Sequence, residues 1–425
     1  MKNELITSSV LQQSYRRIEH SSGLTILLCP MEGFSTAYAL FAAKVGSIDT
    51  TFKTQQEEDF VTVPSGIAHF LEHKMFESEE GDAFAQYAKT GASANAYTSF
   101  DRTAYLFSCT DNFRQTMEIL LKQVTTPYFT QQTVAKEQGI IGQEIRMYDD
   151  EPSWRVMFNL FEALFHENPI KLDIAGTVES IAEISAELLH RCYRTFYHLN
   201  NMVLAVAGNF QEADVLELAD QILKPAAPQT IRYQRVPEPR EVVRHNAEQT
   251  LSVAAPLFEI GFKGLSGDSL QNLKTQVVAE VLMEILCGES SPLYRRLYDA
   301  GLINSTFEYE VLSGRDYLIP MYGGESRDPA EVYRQLTAEI VRVTAEGIDR
   351  AAFERCRKAT YGRYISMYCK SSSVAGLLVL SHFSGVDSMY DLLEQVRTLE
   401  YDRVTDCLKT DFDPQYSALS VINPA

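Results

Sequence analysis

A chain of 425 residues is longer than one ordinary hydrophobic core requires, so two large domains are expected. With 45% apolar and 22% charged residues it has the composition of a globular protein, and none of its apolar runs is long enough to span a membrane. The formal net charge of −19 argues against a nucleic-acid partner, because a phosphate-binding surface needs a basic excess.

The seven cysteines (Cys29, Cys109, Cys192, Cys287, Cys356, Cys369, Cys407) are scattered and form no C-x-x-C pair. They read as small core residues of a protein kept in a reducing compartment, neither a disulfide framework nor a zinc knuckle. The segment from Met1 to Arg17 lacks the apolar core of a signal peptide. A cytoplasmic location without a membrane partner is therefore expected.

In chain order, Pro64-Ser65-Gly66 reads as a helix opening, with Ile67, Leu71 and Met75 as the apolar stripe that follows. The same helix carries His69-Phe70-Leu71-Glu72-His73, the inverted zinc-protease pattern H-x-x-E-H. Positions i, i+3 and i+4 share a helix face, so His69, Glu72 and His73 converge. Two imidazoles suit zinc, and a carboxylate beside them can take the proton of a zinc-bound water.

The stretch from Gly91 to Thr98, with Ala94, Asn95 and Ala96 at its centre, alternates small and polar residues as a strand would. Glu137 and Glu144 follow on a predicted helix, two turns apart and on one face. A catalytic zinc site needs a third protein ligand, and one of these glutamates can supply it while the other orients a histidine. Their spacing alone does not distinguish the two. Trp154 reads as a loop anchor.

Four prolines between Lys224 and Arg244 mark a linker. Element order echoes across it. The helical pattern from Ile181 to Tyr197 and the strand Met202 to Ala207 recur as Val396 to Phe412 and Ser417 to Ile422, with Cys192 matching Cys407 and Leu204 matching Leu419. An internal duplication follows. The expected fold is α+β: two tandem homologous domains, 1–224 and 245–425, joined by the linker 225–244, each an antiparallel β-sheet with helices packed on one face.

The segments Gly66 to His73, Asn95 to Ser99, Glu137 with Glu144, Gly176-Thr177 and Asn201 to Gly208 together resemble the insulinase/pitrilysin (inverzincin) metallopeptidases over essentially the whole length. The resemblance implies one zinc ion per chain, held by His69, His73 and Glu144. It implies Glu72 as general base and Glu137 as a supporting catalytic residue. It also implies an edge strand at Ala94, Asn95 and Ala96 on which extended peptide pairs through its main chain.

In members of that family that act alone or as catalytic dimers, an arginine and a tyrosine, seven residues apart in the second half, complete the site. Aligned on Leu297 and Gly301-Leu302, these positions hold Tyr298 and Ser305, while Arg295, Arg296 and Tyr309 are out of phase. The expected protein is thus a zinc metalloendopeptidase subunit resembling the zinc-bearing member of bacterial heterodimers, with a homologous partner supplying the arginine and tyrosine. A homodimer using a substitute residue is the lesser expectation. The alternative function is a non-catalytic scaffold or peptide-binding subunit of a larger complex.

Overall fold

The computed structural model describes residues 2–79 and 81–425. Apart from short connecting elements, the first half runs β1 (Lys2–Ser8), β2 (Gln13–Glu19), β3 (Thr25–Pro30), β4 (Ala37–Ala43), α1 (Ile67–Lys74), β5 (Ser93–Thr98) and β6 (Thr103–Cys109). It continues with α2 (Phe113–Thr125), α3 (Gln131–Asp149), α4 (Pro152–Leu164), α5 (Ala186–Phe196) and β7 (Met202–Gly208). The second half repeats the order from β3 onward. Its elements are β8 (Asn246–Leu251), β9 (Leu257–Phe262), α6 (Ser269–Cys287), β10 (Glu308–Gly314), β11 (Tyr317–Glu325), α7 (Pro329–Glu346), α8 (Arg350–Met367), α9 (Ser371–Ser384), α10 (Tyr401–Asp411) and β12 (Ser417–Pro424).

The first sheet has strand order β1-β2-β3-β7-β4-β6-β5 and the second β8-β12-β9-β11-β10. Without the β1–β2 hairpin the two orders coincide, as a duplication requires. Pairing is antiparallel except for β3 with β7 and β8 with β12, so each sheet is mixed where an antiparallel one was expected. No described helix is long and apolar enough to cross a membrane.

Helices cover both faces of each sheet instead of one. All seven residues of β7 are buried, which a strand achieves only with cover on both sides. In the second sheet Phe258, Ile260 and Phe262 enter one apolar core with Val281, Leu282 and Leu286 of α6 and Leu336 and Ile340 of α7. Gly261 points the other way, and a Cβ there would stand 2.8 Å from a methyl of Leu160 on α4. The missing side chain is what lets α4 lie close on that face.

The chain forms two compact units that exchange segments. One comprises 1–145, 173–235 and 365–389; the other comprises 146–172, 236–364 and 390–425. In the first, α9 packs on β7 and β4; in the second, α4 packs on β12 and β9. This division departs from the contiguous boundaries expected at 224 and 245, because each half of the sequence contributes a helix to the other's unit.

Candidate active site

The helix carrying His69 and His73 begins where two glycine turns cross. Gly66, with φ 87°, is its N-cap, and no side chain caps it, so Ser65 does not play the expected role. A Cβ on Gly66 would lie 2.3 Å from the carbonyl oxygen of Ala175, and one on Gly176 would lie 2.5 Å from that of Ser65. Only glycine takes both the positive φ and the close approach. Ser180 adds a 2.9 Å hydrogen bond to the Ser65 carbonyl, fixing where α1 starts.

Burial along α1 goes further than the expected stripe. Every residue except His73 is buried, including His69, Glu72 and a fully enclosed Lys74 whose ammonium pairs with Glu77. A buried lysine needs such a partner. Facing α1, α3 turns Glu137 and Glu144 toward the histidines, as their two-turn spacing predicts.

Geometry separates the two glutamates. His73 Nδ1 bonds Glu137 Oε1 at 3.0 Å. Its Nε2 lies 3.4 Å from Glu144 Oε2, and His69 Nε2 lies 3.7 Å from Glu144 Oε1. Ligand atoms about 2.0–2.2 Å from a tetrahedral zinc lie about 3.3–3.6 Å apart, so this spacing fits the metal. His69 Nδ1 is buried and has no partner among the described residues, which leaves Nε2 as that ring's polar outlet. His69, His73 and Glu144 are the only such cluster of possible ligands among the described residues.

The electrostatics are those of a tightly enclosed cluster. Burial, then the neighbouring His73, holds His69 down to about 4. Burial also disfavours charge on His73, but bonds to Glu137 and Glu144 outweigh it and raise the group to about 10. Glu137 is held below its ordinary range, its burial overcome by His73 and by the charges of Lys74 and Lys136.

Glu72 is pushed up by burial, against a 2.7 Å hydrogen bond donated by Thr98 Oγ1 to its Oε2. Thr98 sits at the end of β5, a residue for which the sequence suggested no role of its own. No local pattern marks such a partner; only the pairing of β5 beside α1 reveals it.

β5 is the outermost strand, bonded on one side to β6. The Ala96 N–H is accepted by the Asn95 carboxamide at 2.9 Å instead of by the sheet. By alternation, Ala94 and Ala96 turn their main-chain groups to the open edge, with Asn95 exposed between them.

Tyr298 is 50% exposed, and Ser305 lies in an exposed turn. The out-of-phase groups are already engaged within the second unit: Arg295 with Asp299 at 2.8 Å, Arg296 with Glu339 at 3.3 Å, and Tyr309 with Glu284. Trp154, expected in a loop, lies on α4 and stacks against Tyr148 with ring centroids 4.6 Å apart.

Residues 62–178 match the family described as "Insulinase (Peptidase family M16)", and residues 183–360 match "Peptidase M16 inactive domain". The chain is 39% identical over 402 residues to "Uncharacterized zinc protease YmfH" of Bacillus subtilis (strain 168), covering 92% of each. A crystal structure of an M16-like protein from Alicyclobacillus acidocaldarius is similar with TM-score 0.92 and 31% identity, over 100% of this chain and 98% of the other. A protease structure from Helicobacter pylori shares the fold, with TM-score 0.81 and 21% identity over 100% of this chain and 99% of the other.

Proposed function

Because the chain belongs to the insulinase (M16) peptidase family, we propose that it is a zinc-dependent endopeptidase subunit that cleaves unfolded peptides. The observation that carries this reading is the convergence of His69 Nε2, His73 Nε2 and the Glu144 carboxylate at tetrahedral spacing. The relatives named zinc proteases support it. When bound, zinc supplies Lewis acidity that polarises a carbonyl and brings the pKa of water to roughly 7.

The chain's own residues do the rest. His69, His73 and Glu144 would hold the ion, while Glu137 accepts a hydrogen bond from His73 Nδ1–H and so presents Nε2 to it. Glu72 takes the proton of the attacking water and returns it to the leaving amine, and its burial makes it a stronger base. Thr98 keeps that carboxylate in one orientation. Extended substrate pairs with the main chain of Ala94 and Ala96, where the Asn95 carboxamide must release the Ala96 N–H.

A homologous partner supplies the arginine and tyrosine that Tyr298 and Ser305 replace here. Removing one such donor to a developing oxyanion costs about 2.7–4 kcal/mol, so the isolated chain is expected to be nearly inert. The second reading, a non-catalytic peptide-binding subunit, is favoured by that same substitution. The test is cleavage of a quenched extended peptide by the zinc-loaded chain, alone and with a homologue lacking H-x-x-E-H, with Glu72→Gln as control. Turnover only in the mixture supports the proposal. Turnover by the chain alone removes the heterodimer, and none in either case favours the scaffold.

A further inference from the structure

The duplication can be followed residue by residue into the second unit. Counted from their first residues, Gln131 and Arg350, every buried position of α8 is buried in α3 as well: Phe353 with Val134, Cys356 with Glu137, Thr360 with Ile141, Tyr364 with Ile145. Glu144 then corresponds to Arg363. The end of α6 aligns with α1 on Ala279 for Ala68 and Leu282 for Leu71, with buried positions in phase. Glu280 thereby takes the place of His69, Met283 that of Glu72, and Glu284 that of His73.

The sheets confirm the correspondence independently. The cross-strand row Leu204, Phe41, Tyr105 is repeated by Leu419, Ile260, Tyr322. Tyr105 bonds the Tyr197 hydroxyl at 2.7 Å, and Tyr197 directly follows α5. Phe412 directly follows α10, and the Tyr322 hydroxyl is buried without a hydrogen-bond partner among the described residues. The second unit has a phenylalanine where the first has the partner tyrosine.

One contact between the corresponding positions is kept with its charges exchanged, and the Arg363 side chain that makes it is half exposed. Arg363 Nη1 donates to Glu284 Oε2 at 2.7 Å, as Glu144 faces His73 in the first unit. Glu280 accepts from Tyr364 Oη and from Gln276 Nε2, each at 2.9 Å, and Tyr309 of β10 bonds Glu284. Where the first unit has two imidazoles and a carboxylate, the second has two carboxylates and a guanidinium.

We infer that the second unit holds a charge-inverted copy of the metal centre, in which the Arg363 guanidinium is the resident cation between α6 and α8. A guanidinium stays charged and is covalently attached, so it neither dissociates nor yields to a chelator. The chain therefore takes one divalent ion, in its first unit, and the second unit keeps its centre when metal is withdrawn. The first part of that statement rests on the reading of His69, His73 and Glu144 as the metal site.

The test is made in the full chain carrying His69→Ala and His73→Ala, which removes the first site. Adding Glu280→His, Glu284→His and Arg363→Glu restores the ligand types of the first unit to the second. The expected result is a gain of about one zinc per chain by atomic absorption, with a melting temperature that EDTA lowers. A folded variant that binds no zinc overturns the inference.

Should the variant not fold, hydrogen exchange on the zinc-loaded wild type decides. EDTA is expected to accelerate exchange in 67–75 and 134–145 by about tenfold or more while leaving 278–286 and 353–364 unchanged. Equal acceleration in both units overturns the inference. A wild type that binds no zinc defeats the proposed function instead, and the engineered gain in the double-alanine background remains a separate result.

Discussion

Glu137→Gln isolates what the carboxylate behind His73 contributes. The hydrogen bond from His73 Nδ1 to Glu137 Oε1 is 3.0 Å long and the acceptor is buried, held below its ordinary pKa chiefly by that histidine once burial is overcome. Glutamine keeps the shape but removes the charge, reducing a charge-assisted bond worth about 1.5–3 kcal/mol to a neutral one. If instead its amide donates to Nδ1, the ring carries its proton on Nε2, the atom that must face the metal. Supporting partners of this type change metal affinity by about 10–100-fold, or about 1.4–2.7 kcal/mol. Competition with a chromophoric chelator should show the zinc Kd rising within that range, while the melting temperature of the metal-free protein moves little. A Kd within about threefold of wild type would refute the orienting role of Glu137, because no neutral bond could match the charged one.

Glu72→Gln and Glu144→Ala should separate chemistry from metal retention: the first is expected to keep its zinc and abolish cleavage, the second to lose most of its zinc, both read by atomic absorption beside a peptide assay. Gly66→Ala forces a side chain into the left-handed region and against the Ala175 carbonyl, and should cost at least about 3 kcal/mol in denaturant unfolding. Glu259 is pushed up to about 8, by burial first and by Glu310 and Glu308 next. Its folded value lies above its unfolded one, so its contribution is complete below about pH 4 and is lost as pH climbs toward 8. Glu259→Gln should therefore narrow the fall in melting temperature between pH 5 and pH 9 by about 2 °C, corresponding to about 2 kcal/mol. An unchanged pH profile would place that carboxyl in water.

Much of the candidate site was legible because a helix period is a local property. His69, Glu72 and His73 announce their common face by spacing, and Glu137 and Glu144 announce theirs. Which glutamate faces the two Nε2 atoms was not legible from spacing, since both lie on that face; the family resemblance pointed to Glu144, whose carboxylate is the one placed opposite both rings. Thr98 escaped notice because its partner is 26 residues away in sequence, and a threonine in a strand is ordinary. Ser65 misled for a related reason: a serine before a helix usually caps it, yet here the tight crossing with 175–176 required glycine at the N-cap. The parallel strand pairs and the exchanged helices were invisible for a deeper one. Buried helices such as α4 and α9 show where they are apolar but not which sheet they cover. That choice is made by chain topology and by such details as the bare face of Gly261.

The exchange of α4 and α9 has a consequence for how the polypeptide holds together. Each half of the sequence lacks one wall of its own unit and owns a wall of the other, the arrangement of a domain-swapped dimer whose two copies have been fused end to end. A protease cut within 225–244 would leave two fragments bound by reciprocal loans, and neither expressed alone would close its core. The duplicated gene must therefore be read through to α9 before even the first unit, the one carrying His69 and His73, is complete.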